Sequence, residues 1–292
     1  MNISIYSVAP QLTLLLQLSI SLAVQSQLTS TPYCTDNKAL NSATSISYEK
    51  PLNERLRVFL QLEQLFRHFN EIIDIKTTLD KRAAVDCLLD IMFILKLYNL
   101  KLEIKKEIEN QVALSRKSHN SDEITTLHYI GQQLSDITIK PYSIKRKNND
   151  NIMDGDLLKS IALRRFTPGG AQSFLLPQYH YWLGQNNASC QSDLKDWNDS
   201  FKLMRLAIQH ILNLIRNRIT MKDHIALAGF FQTNFHSQKT PQIIKVTVDI
   251  ALPCFAEISA SKHRCNIRFM TLSTINQPPM QSTNNIPFTL IC

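Results

Sequence analysis

Residues 259–269 read SASKHRCNIRF, in which Lys262, Arg264, Asn266 and Arg268 alternate with His263, Cys265, Ile267 and Phe269. Successive side chains of a β-strand point to opposite faces, so this pattern predicts one cationic face and one largely apolar face. Residues two apart along a strand are separated by roughly 6.5–7 Å, a spacing that suits successive anionic groups on an extended ligand. A guanidinium can also grip a carboxylate through two donors. The competing reading is an ordinary solvated sheet face, and spacing alone does not favour the ligand over it.

Other chemistry finds less support. The six cysteines (Cys34, Cys87, Cys190, Cys254, Cys265 and Cys292) include no CxxC pair and no Cys/His cluster at zinc spacing, so no metal site is expected. Their wide spread suits reduced cytosolic thiols, with Cys87 and Cys265 as small core residues. Six glycines assemble neither GxGxxG nor GxxxxGK[ST], so the common nucleotide loops are missing and no cofactor is expected. A nucleophile needs a base beside it and a third group to orient that base. No local signature singles out such a set, and the expectation is a protein that is not an enzyme.

The elements that must position the basic stretch follow from periodicity. Apolar residues recur at helical spacing in PLNERLRVFLQLEQLFRHF, TTLDKRAAVDCLLDIMFILKLYN, KLEIKKEIENQVALS, DEITTLHYIGQQLSDI and DGDLLKSIALRRF. A final long helix is expected over DLKDWNDSFKLMRLAIQHILNLIRNRI, acids (Asp193, Asp196, Asp199) at its start and Arg216 and Arg218 at its end, as the helix dipole favours. Pro168-Gly169-Gly170 is a strong turn signal, and the aromatic group around His180 and Trp182 is open between a short strand and a helical turn. Trp182 itself is expected in the core, and Arg164 and Arg165 at a helix C-terminus.

After Thr220 the period falls to two. IIKVTVDI is expected to pair antiparallel with the basic strand through a turn at LPCFAE, and AGFFQTNF and IPFTLIC are further strands. His263, Cys265, Ile267 and Phe269 then face inward, with Lys262, Arg264 and Arg268 outward. The fold class is α+β, a helical bundle domain (47–219) followed by a smaller antiparallel β-rich domain (220–292). Residues 1–46 read as a leader or disordered extension, for which upstream sequence translated from a wrongly assigned start is one origin. Its apolar run QLTLLLQLSISLAV lacks a preceding basic region and is short for a membrane span, so stable membrane insertion is not expected.

Of the formal charge of +8, +7 falls after residue 200, where ten cations face only Asp223, Asp249 and Glu257. Such a field favours an anionic partner: nucleic acid, an acidic lipid surface or an acidic protein segment. A nucleic-acid-binding module is thus the alternative reading, though the basic strand itself carries no interleaved exposed aromatics for base stacking.

YEKPLNERLRVFLQLEQL, RRFTPGGAQSFLLPQYHYWLGQ and SKHRCNIRFMTL, in this order and spacing, resemble the ZapD family of bacterial cell-division proteins from about residue 48 to the C-terminus. The resemblance implies a cytoplasmic, non-enzymatic homodimer at the division site. It implies binding to the C-terminal peptide of FtsZ, the tubulin-like GTPase of the division ring, and cross-linking, bundling and stabilisation of FtsZ filaments. By position it carries the partner-binding role to Arg57, His180, Lys262, Arg264 and Arg268. It also marks two departures, Gln61 and Asp156, where relatives are expected to be basic.

Overall fold

A computed structural model describes residues 44–117, 121–136, 156–235, 241–272 and 278–292. Among the described residues, those within 47–248 and 253–292 form one compact unit; residues 44–46 with Asp249–Leu252 form another, in which the Ile250 N–H donates to the Thr44 carbonyl. The apolar run at residues 11–24 lies outside the described residues.

Strand β1 (Ser45–Pro51) precedes helix α1 (Glu54–Ile72). Asn53 ends the strand and starts the helix, its side-chain oxygen accepting the Leu56 N–H at 2.8 Å. Leu56, Phe59, Leu62, Phe66 and Phe69 recur at helical spacing and are buried. Helix α2 (Thr78–Leu97) opens on a capping box between Thr77 and Asp80. Backbone N–H groups of Lys76 and Thr77 hold the Asp80 carboxyl below its usual range. Helices α3 (Leu100–Lys117), α4 (Ser121–Asp136) and α5 (Asp156–Arg164) follow the expected segments.

The aromatic group beyond the PGG turn is helix α6 (Pro177–Leu183), with proline in its first turn. Trp182 is buried as expected, stacked between Tyr179 and Trp197 at 6.1 and 5.6 Å, its indole N–H donating to Asp193 at 2.9 Å. The single long helix expected next is two, α7 (Asn187–Asp199) and α8 (Lys202–Asn217). The break falls at Asn198-Asp199-Ser200, residue types that compete with helical hydrogen bonding. There the Phe201 N–H turns back to the Asn198 carbonyl at 3.0 Å.

Seven further strands follow among the described residues: β2 (Met221–Ala226), β3 (Phe230–Asn234), β4 (Ile243–Asp249), β5 (Phe255–Ala260), β6 (Arg264–Thr271), β7 (Met280–Gln281) and β8 (Ile286–Ile291). One sheet runs β1-β4-β8-β2 and the other β3-β6-β5, with β7 also on β6. The expected pairing of IIKVTVDI with the basic strand is therefore corrected: they belong to different sheets, and β6 is flanked by β3 and by β5, which begins inside the stretch expected to be a turn. Between the sheets, Phe288 meets Phe231 and Phe269 at 5.2 and 5.1 Å.

Two arginines bind the helices to each other and to β1. Arg216 bridges Glu49 on β1 and Glu63 on α1 at 2.8 and 2.7 Å, and Arg218 reaches Glu123 on α4 at 2.7 Å and Gln111 on α3 at 2.6 Å. Burial alone disfavours the charged Arg216, but its hydrogen bonds to Glu63 and Glu49 outweigh that and raise its pKa. Arg55 does the same for Glu107, which is fully buried, at 2.8 Å. Part of the basic excess after residue 200 is thus structural rather than displayed to a partner.

Candidate partner-binding surface

The basic stretch is a hairpin turn followed by a strand. The Ser261 N–H donates to the Arg264 carbonyl at 2.8 Å, and the Ser261 hydroxyl accepts the Arg264 N–H at 3.3 Å, closing the turn from β5 into β6. Lys262 and His263 sit in this turn, both exposed, which corrects the expectation that His263 faces inward and that Lys262 lies on the strand. From Arg264 the predicted alternation holds. Cys265, Ile267 and Phe269 are fully buried, and burial pushes the Cys265 thiol up to about 11. Arg264 and Arg268 are exposed with Asn266 half-buried between them, so the two guanidinium-bearing positions stand about 13 Å apart along the strand.

The flanking strands supply the rest of this face, since residues directly opposite in an antiparallel pair share a face. Phe230, Gln232 and Asn234 of β3 lie opposite Arg268, Asn266 and Arg264. Glu257 and Ser259 of β5 lie opposite Arg268 and Asn266. Arg268 reaches Glu257 at 3.5 Å, with both side chains about half exposed. An exposed pair of this kind is worth only about 0.2–1 kcal/mol. Arg264 makes no ion pair among the described residues. The Asn266 side-chain oxygen is buried without a hydrogen-bond partner.

The remaining sequence-nominated residues lie on helices. Arg57, in the first turn of α1, is exposed and pairs with Glu54 at 3.2 Å. Gln61 is exposed one turn further along α1, His180 is exposed on α6, and Asp156 opens α5. The structure brings Arg264 and Arg268 onto one face with Lys262 at its end, while Arg57 and His180 belong to other elements. Phe230 and the Arg268–Glu257 contact were beyond sequence reasoning. AGFFQTNF was recognisable as a strand, but its register against β6 was not.

A second feature surrounds the PGG turn. A cleft of about 380 Å³ lies between α2, the end of α5 and the loop leading to α6, lined by Arg82, Asp86, Arg164, Arg165, Thr167 and Tyr179 among others. Gly169 has a φ of +71°, and a Cβ on Gly170 would sit 2.1 Å from the Arg164 carbonyl oxygen. The loop is thus folded tightly back on the end of α5. Arg165 binds Asp90 at 2.8 Å and stands 4.0 Å from Asp86. Arg82 lies over the Tyr179 ring, 5.6 Å from its centre. Burial pushes the Tyr179 phenol up to about 12 and raises Asp86, against the opposing pull of Arg165.

No group of His, Cys, Asp and Glu able to hold a metal occurs among the described residues. Nor is any described helix long and apolar enough to cross a membrane. What the fold and surface define is an α+β protein, its helical region joined to antiparallel sheets that carry a cationic strand face. The ZapD family, described as a cell division protein, matches residues 60–268. A Methylococcus capsulatus protein called cell division protein ZapD is 36% identical over 250 residues, covering 84% of this chain and 96% of its own. Proteins of the same description from Nitrosomonas europaea and Coxiella burnetii are 30% and 28% identical, covering 85% and 86% of this chain and 94% and 98% of their own. The chain belongs to the ZapD family.

Proposed function

We propose that this chain binds the C-terminal peptide of FtsZ on the outward face of β3, β6 and β5, and that as a homodimer it cross-links and bundles FtsZ filaments at mid-cell in the cytoplasm. Its role is mechanical rather than enzymatic. The observation that carries this reading is the outward pair Arg264 and Arg268 beside the exposed ring of Phe230, with Lys262 at the turn. That mixture suits a peptide carrying both carboxylates and apolar side chains. Arg57 and His180 are further contacts on the helical side.

A flexible peptide must be ordered on capture, so a single site binds weakly. Two sites in a dimer, meeting many tails on a filament, convert weak contacts into bundling. The test is binding of the chain to a synthetic FtsZ C-terminal peptide at two salt concentrations, beside the Arg264→Ala/Arg268→Ala variant. Salt-sensitive binding that the variant loses, with its fold kept, supports partner and face together. Peptide binding that the variant retains removes the face; no binding by the folded wild type removes the partner. Tight binding of random DNA or RNA near physiological salt instead returns the nucleic-acid reading.

A further inference from the structure

The cleft behind the PGG turn holds more positive charge than its own carboxylates neutralise. Of its three arginines, Arg165 is engaged by Asp90 and Asp86. Arg82 and Arg164 line the same space and make no ion pair among the described residues. Arg82 lies over the Tyr179 ring, its guanidinium carbon 5.6 Å from the ring centre, and its guanidinium carries five N–H donors. Arg164, the last residue of α5, lines the cleft, and the loop folds back on its carbonyl, which lies 2.1 Å from where a Gly170 Cβ would sit.

Of the two guanidiniums left without an ion pair, Arg82 is held against the ring before any ligand arrives. Preorganised donors lose little freedom on binding. The volume of about 380 Å³ falls in the range of small-molecule sites rather than of a bound water or single ion. Leu163, Phe166 and Phe174 are exposed on and beside the same loop, giving an apolar surface near the cationic one.

We propose that the PGG cleft is a binding site for a small organic polyanion of about nucleotide size, its phosphate or carboxylate oxygens held by Arg82 and Arg164 and its body against the apolar loop. This site is separate from the strand face and does not depend on the FtsZ reading.

The test is titration calorimetry on the full chain with pyrophosphate, ATP and citrate as probes. Three proteins are compared: wild type, Arg82→Gln/Arg164→Gln, and Arg264→Gln/Arg268→Gln. Binding of ATP or pyrophosphate but not citrate assigns a phosphate ligand, and binding of all three a general oxyanion site. In either case the cleft variant weakens binding at least about tenfold, since each lost guanidinium removes charge-assisted hydrogen bonds. The strand-face variant leaves it unchanged. Arg164→Gln alone, at an exposed position, serves if the double variant fails to fold by circular dichroism. The proposal is overturned if no probe binds wild type, if the cleft variant binds equally well, if the strand-face variant is the one that loses binding, or if an acidic peptide displaces the probe from the cleft.

Discussion

Arg268 and Glu257 stand directly opposite each other on adjacent strands, guanidinium to carboxylate at 3.5 Å, in the middle of the exposed face proposed to hold an acidic peptide. The carboxylate of Glu257 thus occupies the donor that an incoming carboxylate needs. Arg264, four residues away, has no such competitor among the described residues. The face is therefore uneven, with one arginine free and one partly masked by its own sheet.

Glu257→Gln is expected to tighten peptide binding by roughly twofold to fivefold, the range set by an exposed ion pair. If the masking acts through Arg268, the gain disappears in an Arg268→Ala background, which a double-mutant cycle on peptide affinity measures. A gain of equal size in both backgrounds means that Glu257 acts through the general field and not through that contact.

Gly170→Ala is expected to destabilise the protein more than Gly169→Ala. At Gly170 an added Cβ meets a backbone carbonyl at 2.1 Å, which cannot move without opening the end of α5. A loss of about 2 kcal/mol or more follows. Gly169 has room but a φ of +71°, so alanine there costs about 1 kcal/mol. Urea midpoints of the two variants give the ranking, and a reversed order contradicts the tight fold of the loop.

Arg216→Met is expected to cost about 3 kcal/mol, because Glu49 and Glu63 then face each other, partly buried, without their shared cation. Arg216→Lys keeps the charge but loses the fork that spans both carboxylates, and falls between. Adding Glu49→Gln and Glu63→Gln to Arg216→Met restores much of the loss. No recovery in urea denaturation means that packing of the arginine stem, not its charge, was what counted.

Periodicity made the helices legible, because Leu56, Phe59, Phe66 and their counterparts must recur every three or four residues to reach a common core. It also showed which side of β6 is buried: Cys265, Ile267 and Phe269 alternate with polar residues along the chain. Strand partnership was not legible, since a strand's alternation says which face is buried and nothing about its neighbour. Hence the alternation of IIKVTVDI does not reveal that it lies in the other sheet, nor that Phe230 and Glu257 stand beside Arg268. Arg216 shows the same limit at longer range. A helix-end arginine predicts a favourable dipole, but its partners lie more than 150 residues away in the chain.

Stability is expected to fall as the pH drops below about 6.5, through His210 on α8. Its Nε2 is buried without a hydrogen-bond partner, and burial lowers its pKa, opposed by the carboxylate of Glu123. The folded state therefore binds a proton here less readily than the unfolded chain. Above the unfolded pKa of about 6.5 both states carry a neutral imidazole and the residue has no effect. Between that value and the lower folded one, the unfolded state alone is protonated, and stability drops by up to about 1.4 kcal/mol per pH unit. The carboxylates held low, Asp80, Glu103 and Glu123, lose their contribution only in more acid solution, below the ordinary carboxylate range. Asp86, raised by burial, acts in the opposite sense as the pH falls, so the comparison with His210→Gln, not the window from pH 7.5 to 5.5 alone, isolates the histidine. Urea denaturation across it should show a decline in the wild type that His210→Gln lacks, and an equal decline in both assigns the effect to other groups.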